Sequence, residues 1–248
     1  MAQASAQSEV PPLSLKSLVT YTSQTSGLEK TLRLIQATAQ VIGFTTDDKG
    51  LATQCLTARD QLALGRRYFR LLDFYGCFER VHHLLSTPSS SGTFLAVMEL
   101  AQYTFLGLYL FLENFTIFHD MNVARVNWYR PLMTEANKFW FYALSLSIMR
   151  CFWELIFPTI TTVPVKISEK DSSSGKGKSK SKGKGQPQTQ QVTAPKWPLI
   201  KRIIIDGCDL TLPGSFIGWV PASGLQIGIG MFVSTLLAGH EVWLRQQR

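Results

Sequence analysis

Residues able to do acid–base, nucleophilic or metal chemistry are few in this chain and badly spaced for it. His82-His83, His119-Asp120 and His240-Glu241 are direct sequence neighbours, and adjacent residues on a helix do not converge on one point. Cys55, Cys77, Cys151 and Cys208 stand far apart, with no C-x-x-C pair and no His at ligand spacing, so neither zinc nor a disulfide framework is expected. No H-E-x-x-H or nucleophile elbow occurs, and Gly228-Ile229-Gly230 is a fragment of a dinucleotide motif set inside an apolar run. Neither catalysis nor a cofactor is expected.

The chemistry that the residue types do favour is contact with charged headgroups. On a helix expected from about 54 to 85, Arg59, Arg66, Arg70, Asp73 and Arg80 share one face and Arg67 lies beside them. Leu64, Tyr68, Leu71, Tyr75 and Phe78 share another. An interfacial helix needs this division, with guanidinium groups at anionic phospholipid and apolar side chains at the acyl boundary. A peptide of residues 54–85 is then expected to bind such membranes. A helix packing its apolar face into a bundle has the same pattern, and the residues alone do not choose between the two.

The formal net charge of +8 does not point to nucleic acid. Lys176, Lys178, Lys180, Lys182 and Lys184 alternate with Gly and Ser, with no aromatic residues between them on which bases could stack. A flexible spacer is the expectation for about 165 to 195. Residues 1–16 are expected to be disordered, and Met1 to Pro12 carry no basic patch leading into an apolar core, so insertion is expected to follow synthesis.

The elements that position these residues read as helices, which makes the fold class all-α. Leu28, Leu32, Ile35, Ala39 and Ile42 keep helical spacing, with Ser26 as N-cap and Gly43 as stop. Charged residues are 17% of the chain, against about 25% in a soluble domain. Leu210 to Gly239 holds no Asp, Glu, Lys or Arg, and a span at about 214–239 is long enough for roughly 30 Å of hydrocarbon. The chain is therefore expected to be an integral membrane protein, with a helical region 17–164 and a C-terminal anchor 196–248. Pro221 and Gln226 disturb a simple span, since each leaves a polar group that needs a partner in lipid. Gly224, Gly228, Ser234 and Ala238 lie near one side of it, a small-residue face for helix pairing within the chain or in a homo-oligomer. Phe94 to Phe118 and Phe139 to Phe157 are strongly apolar but carry Glu99, Gln102, Arg150 and Glu154. Arg150 and Glu154, one turn apart, are placed to pair.

With these residues in view, the chain resembles the peroxin-11 family of peroxisomal membrane proteins. Gly27, Glu29, Lys30, Leu32, Arg33 and Gln36 match its N-terminal G-x-E/D-K-x-L-R-x-x-Q signature. Asp209-Leu210 with Pro213, Gly218-Trp219, Gly228, Ser234-Thr235 and Trp243 resemble its C-terminal motifs, and Glu113-Asn114 stands where many members have Asp-Asn. The resemblance implies a protein of the peroxisomal membrane that bends and elongates it, promotes proliferation and helps recruit the fission machinery. It also favours membrane insertion of the Arg-rich helix.

The alternative function is a channel for small metabolites, supported by Glu99, Gln102, Arg150 and Glu154. Lys201-Arg202 beside Ile203-Ile204-Ile205 resembles a site for the soluble import receptor of peroxisomal membrane proteins, and serves equally as a juxtamembrane anchor. Topology is in conflict: one final span would put the lysine spacer and Arg248 on opposite sides, whereas the resemblance implies both termini in the cytosol.

Overall fold

The structure is a computed structural model that describes residues 15–86, 93–157, 160–164, 189–193 and 196–246. Most of the expected linker and nearly all of the expected disordered N-terminus lie outside the described residues. Nine helices appear among the described residues: α1 (Leu15–Ser23), α2 (Thr25–Thr45), α3 (Lys49–Phe69), α4 (Asp73–Ser86), α5 (Thr93–Phe115), α6 (Ile117–Asp120), α7 (Tyr129–Ile156), α8 (Lys196–Ile217) and α9 (Gly224–Gln246). A two-stranded antiparallel ribbon joins β1 (Ile160–Pro164) to β2 (Thr189–Thr193), with Ile160 opposite Thr193. β2 falls inside the stretch expected as spacer.

Helix neighbours follow the order α3, α2, α9, α8, α7, α5, α4, and α3 runs directly into α4, so the arc closes around an interior. The α4–α5–α7 seam is apolar and aromatic, with Cys77, Tyr109, Leu110 and Ala136 buried and Tyr109 stacked on Trp140 at 4.9 Å. The α2–α9 seam is made of small residues. A Cβ at Gly224 would run into the Phe44 ring, and one at Gly228 would lie 3.1 Å from Val41 Cγ2. Ser234 and Thr235 are buried and return their hydroxyls to the Met231 carbonyl, while Ala238 is half-buried. Of the two pairings expected for this glycine face, the structure has the one within the chain.

Two expected helices are corrected. The helix expected at 54–85 is α3 and α4 with an elbow at Arg70–Leu72, although no Gly or Pro occurs there. Tertiary bonding makes the break. In a continuous helix the Leu71 carbonyl would accept from the Tyr75 N–H, but here Asn114 Nδ2 donates to it at 2.7 Å and Tyr75 N–H turns to Leu72. The expected span at 214–239 is likewise not one helix. α8 ends at Gly218, whose φ of +88° suits glycine, and the N–H groups of Trp219 and Val220 both return to the Gly214 carbonyl, a glycine stop followed by Pro221. Ser223 and Gln226 then exchange hydrogen bonds as a capping box that starts α9, so the Gln226 side-chain oxygen has its donor at a helix end. α5, α7 and residues Gly224–Arg245 of α9 are long and apolar enough to cross a membrane. Near the N-terminus, α2 takes Gln24 as its N-cap residue, with Ser26 already inside the first turn.

Candidate functional site

α2 has a polar face that is turned inward. Glu29, Arg33, Gln36 and Gln40 are all buried, and each finds a partner on another helix. Arg66 of α3 donates to Glu29 at 2.9 Å through Nε and to Gln36 at 2.7 Å through Nη1. Arg33 pairs with Asp209 of α8 at 2.5 Å, and Gln40 donates to the Gly224 carbonyl at 2.7 Å. Burial by itself raises the Glu29 carboxyl, but Arg66 and Lys30 outweigh that effect and hold it at about 2. Arg66 goes the other way, brought down to about 10 by burial, with Glu29 opposing and Arg33 and Arg70 adding repulsion.

A second knot joins α3 to α5 and α6. Arg67 contacts the Glu113 carboxylate at 3.3 Å, donates to the Glu113 carbonyl at 2.9 Å, and also pairs with Asp120 and Thr116 Oγ1. Tyr109 donates to Glu113 at 3.0 Å, and Arg70 approaches the same carboxylate at 3.4 Å. On α8, Asp206 accepts from Ser147 of α7 at 2.5 Å and from Arg202 at 2.8 Å. Its carboxyl is pushed above the usual range by burial, against the pull of Arg202.

The sequence-derived site residues separate accordingly. Arg66 and Arg67 are interior and ion-paired, which corrects the placing of both on a lipid-facing stripe: carboxylates 37 or more positions away in sequence are what they meet. Arg59 pairs with its neighbour Asp60, and Arg80 reaches Glu99 at 2.6 Å, so both remain near the surface. Leu64 is half-buried at the interior cavity. Tyr68, Leu71, Tyr75 and Phe78 are exposed, with Phe69 and Leu72 extending the patch. Lys201 is buried against Glu241 at 3.3 Å, while Arg202 is half-exposed. Arg150 lies 3.5 Å from Glu99 of α5 and 4.0 Å from Glu154, making Glu99 its nearer partner and a bridge to Arg80. Sequence reasoning did not assign roles to Glu29, Arg33, Gln36, Asp209 or Glu113. All five stood in the quoted motifs, which was the available signal.

Two features follow from this packing. Inside the ring lies a cavity of about 790 Å³, lined by polar groups such as Gln40, Arg67, Asp120 and Asn137 together with Trp140 and Phe216. Outside, large apolar side chains are exposed on the candidate spans, including Val97 and Phe111 on α5, Met149 and Phe152 on α7, and Ile229 and Leu236 on α9. Among the described residues the buried set holds more polar and charged side chains than apolar ones, the reverse of a water-soluble core.

These features define an all-α protein with a polar interior and three helices able to cross a membrane. The chain belongs to the peroxisomal biogenesis factor 11 (PEX11) family, whose model matches residues 15–243. That is a family of peroxisomal biogenesis factors and not of enzymes, and it gives the chain a role in peroxisome biogenesis and proliferation. No curated protein and no solved structure matches the chain.

Proposed function

We propose that this chain is an integral protein of the peroxisomal membrane that bends and elongates that membrane, with the α3–α4 elbow acting as a shallow wedge in one leaflet. The observation that carries the reading is the inverted distribution of polarity: ion pairs inside, and large apolar side chains outside on α5, α7, α9 and the elbow. An apolar surface of that extent is stable only against lipid or another protein. At the elbow Leu72 is 70% and Tyr75 67% exposed, and side chains inserted at the acyl boundary expand one leaflet relative to the other. Anionic lipid, the import receptor, the fission machinery and further copies of the chain are the partners of this reading. Because α2 covers the Gly224–Gly228 face, assembly of copies would use another surface.

Cells lacking their own family members supply the test. The wild-type chain should restore elongated peroxisomes and resist alkaline extraction, while Leu72→Glu with Tyr75→Glu should still reach the organelle and leave it short. Normal elongation by the double variant would remove the elbow from the mechanism.

A second reading, passage of small polar solutes, is favoured by the interior cavity and its polar lining. Glu99, Arg150 and Glu154 do not line that cavity, so Asn137→Leu is the informative variant in planar-bilayer conductance. Conductance absent from the wild-type chain would dispose of this reading.

A further inference from the structure

The interior cavity of about 790 Å³ falls within the roughly 300–1,000 Å³ usual for small-molecule sites. Its charged lining is already paired. Arg67 is held by Glu113 and Asp120, and Arg59 by Asp60, so carboxylates outnumber arginines around the cavity. That lining does not suit an anion.

The neutral polar groups are not paired in the same way. Gln36, Gln40 and Asn137 line the cavity and are only 7%, 5% and 6% exposed, yet each uses one end of its amide on the protein. Gln36 Oε1 accepts from Arg66, Gln40 Nε2 donates to the Gly224 carbonyl, and Asn137 Nδ2 donates to the Met133 carbonyl of its own helix. Those partners fix which end of each amide is oxygen and which is nitrogen. The other ends, a donor at Gln36 Nε2 and acceptors at Gln40 Oε1 and Asn137 Oδ1, have no partner among the described residues. They are not sealed into packed protein, as Gln102 Oε1 is, but open on the cavity that their residues line. Gln36 and Gln40 stand one turn apart on α2, so their free ends are neighbours. Unmet amide ends at buried residues are costly, and this set calls for a group that both donates and accepts. The opposite lining is apolar, with Met133, Trp140, Leu212, Phe216 and Ile227. Phe216 is also 52% exposed, which carries the apolar wall through to the outer surface at the end of α8.

We propose that this cavity binds one molecule of an uncharged, hydroxyl-bearing lipid. A hydroxyl has one donor and two acceptor positions, which match the free ends of Gln36, Gln40 and Asn137. The hydrocarbon lies along Trp140, Leu212 and Phe216. Entry from the bilayer past Phe216 rests on the integral-membrane reading, while the binding site goes beyond it and beyond passage of solutes.

Full-length protein purified in neutral detergent is offered dioleoylglycerol, cholesterol and dioleoylphosphatidylcholine at equal concentration, and bound lipid is read by native mass spectrometry. One dioleoylglycerol or one cholesterol per chain should be retained over phosphatidylcholine, which has no hydroxyl, and the species retained identifies the source. Asn137→Leu should lower that retention about fivefold, as expected for loss of one neutral hydrogen bond. Because Asn137 donates only within α7, this variant should keep the circular dichroism of the wild-type chain. Ala63→Phe fills the cavity from α3 and should abolish retention. Thr38→Leu, on the exposed face of α2, should change it less than about twofold, since it touches no cavity group. Hydroxyl lipids retained no better than phosphatidylcholine would overturn the proposal and leave water as the occupant, as would unchanged retention in both Asn137→Leu and Ala63→Phe. Displacement by excess glycerol would overturn the lipid class in favour of a soluble polyol. Alkaline extraction tests the integral-membrane reading separately, so a chain that resists extraction but retains no hydroxyl lipid refutes this site alone.

Discussion

Glu29→Gln gives the sharpest test of the buried network. Glu29 is displaced from 4.5 to about 2, which at 1.36 kcal/mol per unit of pKa amounts to about 3 kcal/mol in favour of the ionised folded state. Arg66 is lowered from 12.5 to about 10, so burial, with repulsion from Arg33 and Arg70, costs the guanidinium about as much as Arg66 and Lys30 stabilise the carboxylate. The pair is then close to neutral against an apolar replacement, but removal of one partner strands the other. Glu29→Gln or Arg66→Met alone should destabilise the protein by about 3–5 kcal/mol. Glu29→Met with Arg66→Met should recover all but about 1–2 kcal/mol, the residue being the Gln36 amide left without its donor. The measurement is reversible unfolding in mixed detergent micelles, followed by far-UV circular dichroism. The pH dependence has a definite sign. Above about 4.5 the carboxylate is ionised in both states. As pH falls from there to about 2, the unfolded chain takes up its proton first, and stability is lost through that window. Glu29→Gln should flatten this part of the profile. A double variant no more stable than the singles, together with an unchanged acid slope in Glu29→Gln, would refute the reasoning.

Gly224→Leu should destabilise by about 1–3 kcal/mol through overpacking, and Phe44→Ala should relieve part of that loss because the Phe44 ring occupies the space; additive costs in thermal unfolding would contradict the contact. Gly27→Ala places a Cβ on the Tyr21 carbonyl oxygen, a backbone atom that cannot swing aside, so α1 should detach from α2 and limited proteolysis near residue 24 should accelerate. Asn114→Ala removes the bond to the Leu71 carbonyl, worth about 1 kcal/mol, and should raise hydrogen exchange at residues 70–75 while leaving α7 protected. Asp209→Asn strands a buried Arg33, whereas Asp206→Asn removes a carboxylate whose charge burial opposes and leaves a half-exposed Arg202. In unfolding at pH 7 the first should cost at least about 2 kcal/mol more than the second, and a reversed order would count against the pairings.

Helix content, the apolar runs and the small-residue face were legible because each depends on periodicity within one segment. Gly224 and Gly228 needed a closely approaching partner, and the sequence could not say whether it would be α2 or another molecule. The elbow was not legible, since the group that makes it, Asn114, lies 43 positions from the carbonyl it binds. The α8–α9 turn was half legible: Pro221 and Gln226 were visible as disturbances, but a run free of charge reads as one span until Gly218 and the Ser223–Gln226 capping box are seen together.

The arginines show why a helical wheel was insufficient here. A stripe of guanidinium groups opposite a stripe of aromatic residues describes a helix that meets water on one side and hydrocarbon on the other. The same stripe results when the polar side meets buried carboxylates, as Arg66 meets Glu29 and Arg67 meets Glu113 and Asp120. A peptide of residues 54–85 would have none of those carboxylates, its own being Asp60, Asp73 and Glu79, so Arg66 and Arg67 would be free for headgroups in a way that those of the full chain are not. Membrane binding by such a peptide would therefore report a surface that the folded protein keeps inside. In the intact chain the elbow, held by Asn114, exposes Leu72 and Tyr75, and on the proposed function it is this apolar surface, not the arginine stripe, that would meet lipid.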